Sequence, residues 1–172
     1  AGHQPMASPS GRYVIAFNGE IYNHLALRSE LEKIAPPVGG WRGHSDTEIM
    51  LAAFCHWGVV AATQRFNGMF AFAVWDKQER MLHLARDRMG EKPLYYGWIG
   101  ETFVFASELK AIRALHGFNA AINRDAICAQ LRFNYIPDPW CIYEGLHKLP
   151  PASLITLKAP ADKPTPQLYW DL

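Results

Sequence analysis

The sequence contains little that would suggest a membrane or nucleic acid partner. No apolar run reaches the length of a transmembrane helix, and no segment has the layout of a signal peptide. With 17 basic and 16 acidic residues, the formal net charge of +1 provides no basic stripe for nucleic acid. We therefore expect a soluble, cytoplasmic protein that binds neither a membrane nor nucleic acid.

Cysteine is also scarce. Cys55, Cys128 and Cys141 are odd in number and far apart, so they predict neither a disulfide framework nor a zinc-binding spacing. Cys55 and Cys128 fall within apolar helical patterns and are predicted to be inert core thiols. The seven histidines are scattered, without a pair at metal-ligand spacing on a convincing helix face. The sequence therefore predicts no metal site.

Apolar residues are present in the amount that one globular domain needs. The 172 residues are 49% hydrophobic and 19% charged. Residues 69–76 are apolar at successive positions, so this strand must be covered on both faces. Residues 81–86 follow after a short charged turn, which predicts an antiparallel hairpin, and residues 94–98 with 102–106 predict a second one.

One polar motif follows the apolar run at residues 13–16. Asn18, Gly19 and Glu20 would bring an amide side chain, a backbone N–H and a carboxylate to one sheet edge. The first two could stabilise an oxyanion, and the missing Cβ of Gly19 would let a substrate approach the backbone. Glu20 could accept hydrogen bonds from a substrate ammonium group. Taken alone, however, an Asn-Gly pair after a strand is more typical of a tight turn.

A second candidate carboxylate lies at the start of a helix. Residues 45–48 have the pattern of a capping box, with Ser45 at the N-cap and Glu48 three residues later. Asp46 lies in the first turn, where it could simply complement the positive end of the helix dipole. Alternatively, it could face the substrate ammonium group from the side opposite Glu20.

Six blocks of sequence, in order and at plausible spacing, resemble the glutamine-hydrolysing asparagine synthetases. The blocks are residues 17–23, 45–48, 67–73, 85–88 with Gly90 and 92–96, 106–111, and 169–170. The resemblance covers nearly the whole chain. It implies a class II glutamine amidotransferase domain of the N-terminal-nucleophile hydrolase fold, an α+β four-layer αββα sandwich with antiparallel sheets.

The resemblance also implies roles for the candidate residues. Asn18 and Gly19 would form the oxyanion hole, while Glu20 and Asp46 would hold the α-amino group of glutamine. Residues 1–158 would be a partial glutaminase domain, and residues 159–172 would be a linker toward an ATP-dependent synthetase domain that this chain lacks. The whole protein would hydrolyse glutamine to glutamate and ammonia for ATP-dependent amide formation.

The chain departs from the family at the nucleophile. The family uses an N-terminal cysteine, whereas residue 1 is Ala and none of the three cysteines matches that position. We therefore expect the chain alone to be inactive and to need no cofactor, with ATP and Mg²⁺ serving the synthetase domain of the same polypeptide. The opening strands are also expected to be missing, which would uncover a sheet edge beside residues 13–17 and favour a homodimer.

Two other functions remain compatible with the sequence. One is a degenerate N-terminal domain that has lost glutaminase activity, as in the β-lactam synthetases. The other is a non-catalytic module that binds glutamine or acts as a scaffold. The acceptor of the ammonia is not encoded in this chain, because it would bind to the synthetase domain.

Overall fold

The structure, a computed structural model, describes residues 3–37, 39–158 and 163–171. The strands in these ranges are β1 Met6–Ala7, β2 Tyr13–Ile21, β3 Gly68–Asp76, β4 Met81–Arg86, β5 Tyr95–Ile99, β6 Thr102–Ala106, β7 Leu146–Lys148, β8 Ser153–Leu157 and β9 Gln167–Leu168. The helices are α1 His24–Ile34, α2 Asp46–Trp57, α3 Val59–Arg65, α4 Leu109–Arg113 and α5 Arg124–Phe133. Across the described residues, none of these helices has both the length and the apolarity that crossing a bilayer requires.

The chain divides into two compact units. The first comprises Ala1–Lys92 and Pro151–Leu172, and the second comprises Pro93–Pro150. The first unit holds a six-stranded sheet in the order β1-β2-β3-β4-β8-β9, and the second holds a three-stranded sheet in the order β6-β5-β7. All pairings between these strands are antiparallel, so the α+β class with antiparallel sheets is confirmed.

The core of the first unit is built on β2, β3 and the helices α1 to α3. β3 is buried at five successive positions from Phe70 to Val74, which confirms that this strand is covered on both faces. Phe54 of α2 lies among aromatic rings, with its centroid 5.5 Å from that of Phe72 and 5.8 Å from that of Phe66. This rigid aromatic cluster lies under β2 and so supports the strand that carries the polar motif.

The described N-terminal residues belong to this sheet. The sequence predicts an uncovered edge beside residues 13–17, and this prediction is wrong. Met6 of β1 pairs with Ile15, and the N–H of Ser8 donates to the carbonyl of Tyr13 at 2.9 Å. Because β1 occupies this part of the edge, the argument for a homodimer from an uncovered edge is lost. The homodimer itself stays a prediction.

The second unit is organised around the predicted second hairpin. β5 and β6 pair from Tyr95 opposite Ala106 to Ile99 opposite Thr102, and β7 adds to the other side of β5. α5 begins where the Asn123 side chain accepts a hydrogen bond from the N–H of Ala126 at 3.1 Å. The buried residues that hold this unit together are Val104, Ile112, Cys141 and Leu146.

The end of the described chain packs on the first unit. The sequence predicts a linker over residues 159–172, of which residues 159–162 and 172 lie outside the described part. The rest contains β9, which pairs with β8, and Tyr169, whose hydroxyl donates to the carbonyl of Arg86 at 2.8 Å. Burial raises the pKa of that hydroxyl. A connection from here to a further domain stays a prediction.

The cysteines do not follow the predicted pattern. Cys55 and Cys128 are exposed, so the prediction of two core thiols is wrong, and Cys141 is the buried one. On α5 the buried residues are Ala126 and Ala129 rather than its larger side chains. Burial raises the pKa of the Cys141 thiol, which makes it a poor nucleophile.

Candidate active site

The candidate site lies at the outer edge of β2. Successive residues of a strand direct their main-chain groups to opposite sides. The N–H of Tyr22 donates to the carbonyl of Asn67 at 2.7 Å, and the carbonyl of Arg12 accepts from the N–H of Lys77 at 2.9 Å. Even-numbered residues of β2 therefore direct their main-chain groups toward β3. Odd-numbered residues of β2 therefore direct their N–H and C=O groups to the opposite edge, along which β1 runs. Gly19 is one of them.

Gly19 has no room for a side chain. Its φ is +149°, and a Cβ would lie 2.1 Å from the main-chain oxygen of Met69 on β3. Gly68 is under the same constraint, since a Cβ there would lie 2.1 Å from the main-chain oxygen of Glu20. The missing Cβ of Gly19 therefore makes room for β3 and not, as predicted, for a substrate. Because Asn18 and Gly19 lie within β2, the tight-turn alternative is wrong.

Asn18 and Glu20 share one face of β2. Side chains two residues apart on a strand point to the same side, and both of these residues are exposed. Ile15 and Ile21, which lie on the other face, are fully buried in the core. One end of β2 therefore presents an amide and a carboxylate side by side, on a strand that is fixed by the packing of its opposite face.

The surroundings of Glu20 are negatively charged. The pKa of the exposed Tyr22 hydroxyl is raised. Partial desolvation is the largest cause, and the negative charges of Glu91, Glu20 and Asp87 add to it. Negative charge near the end of β2 favours a positively charged ligand group. Among the described residues, however, no group of three or more His, Cys, Asp or Glu side chains is arranged to hold a metal ion.

Asp46 joins the start of α2 to the end of β2. One of its carboxylate oxygens accepts from the N–H of Ile21 at 3.0 Å, and the other accepts from the N–H of Thr47 at 2.7 Å. Ile21 directly follows Glu20, so Asp46 is bonded to the main chain one residue after the first predicted ammonium ligand. Asp46 also lies in the first turn of its helix, where a negative charge stabilises the N-terminus.

The rest of this helix start differs from the predicted capping box. Ser45 does accept a hydrogen bond, from the N–H of Thr47 at 3.2 Å. The carboxylate of Glu48 instead accepts from the N–H groups of Arg42 and Gly43, at 2.7 and 3.0 Å. Glu48 therefore orders the loop before α2 and lies apart from the carboxylate pair.

Two further residues at this edge went unrecognised in the sequence. The Gln4 side chain accepts from the N–H of Phe17 at 2.6 Å and donates to its carbonyl at 2.8 Å. The Nδ1 atom of His24 lies 2.8 Å from the carbonyl of Ile21 and must donate, because a carbonyl only accepts. Neither residue belongs to an apolar pattern, and the proximity of His24 to the polar motif is the only signal that could have found it.

The chain is similar to a known protein family over nearly its whole length. A sequence profile described as a glutamine amidotransferase domain matches residues 1–170. Asparagine synthetase (glutamine-hydrolyzing) 1 of Bacillus subtilis is 37% identical over 161 residues, which cover 94% of this chain and 25% of that protein. For a putative asparagine synthetase (glutamine-hydrolyzing) 2 of Methanocaldococcus jannaschii, the identity is 35%, with coverage of 92% and 30%. The chain thus spans less than a third of the length of these relatives.

Solved structures share the fold. Glutamine phosphoribosylpyrophosphate amidotransferase of B. subtilis superposes with a TM-score of 0.65 at 18% identity, covering 97% of this chain and 32% of that one. A glutamine aminotransferase class-II domain protein of Silicibacter pomeroyi gives 0.58 at 15% identity, covering 96% and 72%. These likenesses confirm the N-terminal-nucleophile hydrolase type of α+β fold.

Proposed function

This chain belongs to the class II glutamine amidotransferase domain family, and from that membership we propose that the edge of β2 binds glutamine for hydrolysis. Glu20 and Asp46 would hold the α-amino group, and Asn18 with Gly19 would face the reacting amide. The observation that supports the proposal is the 3.0 Å hydrogen bond from the N–H of Ile21 to Asp46, because Ile21 directly follows Glu20 in β2. An ammonium group between two carboxylates gains charge-assisted hydrogen bonds.

The chemistry requires donors at an oxygen that becomes negative. A thiol that gives its proton to a base attacks the side-chain amide of glutamine and forms a tetrahedral oxyanion; the base returns the proton to the leaving nitrogen, and the intermediate collapses to a thioester and ammonia. Water then hydrolyses the thioester to glutamate. The side-chain NH₂ of Asn18 and the N–H of Gly19 are the proposed donors to that oxyanion.

The nucleophile is proposed to lie outside this chain. None of Cys55, Cys128 and Cys141 occupies the family position, and Cys55 lies near Ser10, with Sγ 3.9 Å from its hydroxyl, rather than at the β2 edge. The purified chain should therefore release no ammonia from glutamine above background in a coupled assay. Turnover that disappears when one of these cysteines is replaced by Ser would contradict this assignment.

The whole protein is proposed to use the ammonia in a second domain. The names of the relatives and the small share of their length that this chain covers support an ATP-dependent synthetase domain in the same polypeptide. ATP and Mg²⁺ would bind there rather than to this chain. The cytoplasm remains the proposed location of the protein.

Asp46→Asn tests the ammonium site in the complete gene product that carries this chain. An amide keeps the size of the side chain but loses the charge, so the KM for glutamine should rise roughly 10- to 100-fold, the equivalent of about 1.5–3 kcal/mol. The ammonium group is unchanged during the reaction, and the amide oxygen of the substituted side chain can still accept from the N–H of Ile21, so kcat should change little. Steady-state kinetics at varied glutamine concentration measure both quantities.

Glu48→Gln provides the matched control. This change removes a charge from the same first turn of α2, and Glu48 binds the loop N–H groups of Arg42 and Gly43 instead of the β2 edge. Its effect on KM should be small. If both variants lower the melting temperature equally and neither changes KM, Asp46 is a helix-dipole partner and the ammonium assignment is wrong.

A further inference from the structure

The outer edge of β2 is held by side chains on both sides of Gly19. On the N-terminal side of Gly19, the Gln4 side chain accepts from the N–H of Phe17 at 2.6 Å and donates to its carbonyl at 2.8 Å. These are the two bonds that a neighbouring strand would make. On the C-terminal side of Gly19, Asp46 binds the N–H of Ile21 at 3.0 Å, and His24 binds the carbonyl of the same residue at 2.8 Å. The main chain two residues before and two residues after Gly19 is therefore fixed at this edge.

We propose that Gln4 and His24 are positioning residues for the N–H of Gly19. This proposal rests on the proposed function, in which that N–H stabilises the oxyanion. Both residues act through the main chain of β2 and have no assigned contact with glutamine. Asp46 also bonds the main chain of Ile21, but it is proposed to bind the substrate ammonium group as well. Substitutions of Gln4 and His24 therefore test positioning without changing a proposed substrate contact.

A glycine at this position needs such support. Without a Cβ, its peptide planes are free to rotate over a wider range than those of other residues. An oxyanion donor has to be held within about 0.5 Å of its productive position, and a displacement of about 1 Å can cost roughly 10²-fold in rate. β3 fixes Asn18 and Glu20 through the ladder on the inner side, and the side-chain bonds fix Phe17 and Ile21 on the outer side.

The chemistry of the two residues predicts how substitutions should behave. Gln4→Ala removes both bonds to Phe17, and His24→Ala removes the bond to Ile21. His24→Asn restores it, because the amide Nδ2 of asparagine lies close to where Nδ1 of histidine lies and can donate to the same carbonyl. Gln130→Ala removes an exposed glutamine from α5 and is the matched control.

The kinetic test uses the complete gene product. Gln4→Ala and His24→Ala should each lower kcat for glutamine hydrolysis about 10-fold while KM changes less than about threefold, because the Gly19 donor acts on charge that develops only in the transition state. His24→Asn should recover most of the kcat, and Gln130→Ala should match the unchanged protein. A His24→Asn enzyme as slow as His24→Ala would overturn the role assigned to His24.

A structural test is independent of activity. In the ¹⁵N-labelled chain, the order parameter of the Gly19 amide should fall from about 0.85 to below about 0.6 in Gln4→Ala and His24→Ala, and remain unchanged in Gln130→Ala. A melting temperature for each variant verifies that it is folded. A Gly19 amide that stays rigid in both Ala variants overturns the proposal, whatever the kinetics show.

The kinetic and NMR measurements together distinguish a failure of the positioning role from a failure of the proposed glutaminase function. A complete gene product without glutaminase activity would refute the proposed function, and with it any catalytic role for this edge, even if Gly19 becomes mobile. An active enzyme in which Gly19 becomes mobile but kcat holds steady would refute positioning and leave the glutaminase function intact. Loss of kcat together with loss of amide order supports both.

Discussion

Asn18→Ala in the complete gene product should lower kcat for glutamine hydrolysis by roughly 10²- to 10³-fold. The side-chain NH₂ of Asn18 would bond an oxygen that carries full negative charge only in the transition state, so its loss raises the barrier of the chemical step. KM should change little, because Glu20 and Asp46 would still bind the substrate ammonium group. Initial rates of glutamate formation over a range of glutamine concentrations measure both parameters.

Two further variants make this test specific. Asn18→Asp preserves the size of the side chain but replaces the donor with a negative charge, so its kcat should be at least as low as that of the Ala variant. Ala16→Ser alters an exposed position on the same face of β2, two residues earlier, and should leave the kinetics unchanged. A kcat within threefold of normal for Asn18→Asp would eliminate the oxyanion role.

The largest loss of stability is expected from Asp87→Ala. Asp87 is completely buried and accepts four main-chain N–H bonds, from Phe70, Met89, Glu91 and Lys92, at 2.9 to 3.2 Å. Removing the carboxylate leaves these donors without their acceptor, at a cost of about 1–3 kcal/mol for each one that stays buried. We expect a loss of about 4 kcal/mol or more, measured by urea unfolding, which is a large part of the stability of a typical domain.

The Asp87→Asn substitution is the control for Asp87→Ala. Asp87→Asn retains one acceptor oxygen and should lose clearly less stability than Asp87→Ala, with the remaining bonds shared by that oxygen. Glu79→Ala, an exposed acidic position after β3, should have little effect. A loss below about 1 kcal/mol for Asp87→Ala would mean that the four hydrogen bonds of Asp87 contribute little to stability.

Asp87 also bears on the candidate site. Its carboxylate binds the N–H of Phe70, and Phe70 lies opposite Gly19 in the register of β2 and β3. Met69, the residue before Phe70, has the main-chain oxygen that excludes a Cβ at Gly19. A buried carboxylate on the loop that follows β4 thus supports the inner side of the proposed oxyanion donor.

The strands that face the core could be predicted because their pattern is local. The uninterrupted apolar run of β3 requires cover on both faces whatever the partner, so periodicity alone was sufficient. Asn18, Glu20 and Asp46 were found through sequence blocks that resemble a known family, and the structure brings all three to one end of β2. Their roles in binding and catalysis stay predictions.

Other features depend on residues that are distant in the chain. The Asn18-Gly19 pair is typical of a turn, but pairing along the whole of β3 keeps it extended. Cys128 was assigned to the core because α5 contains large apolar residues, yet the helix packs through alanines and leaves Leu131 79% exposed. The strand-like bonding of Gln4 has no counterpart in local sequence, because a polar side chain can replace main-chain groups at almost any sheet edge.

The insertion of the second unit has a consequence for the nascent protein. β4 and β8 are neighbours in the finished sheet, from Leu82 opposite Leu157 to Ala85 opposite Leu154, but the ribosome makes all of Pro93–Pro150 between them. At a synthesis rate of about 5–20 residues per second, the outer edge of β4 stays unpaired on the order of seconds until β8 has been made. Throughout that interval its unpaired N–H and C=O groups can pair with a strand of another chain.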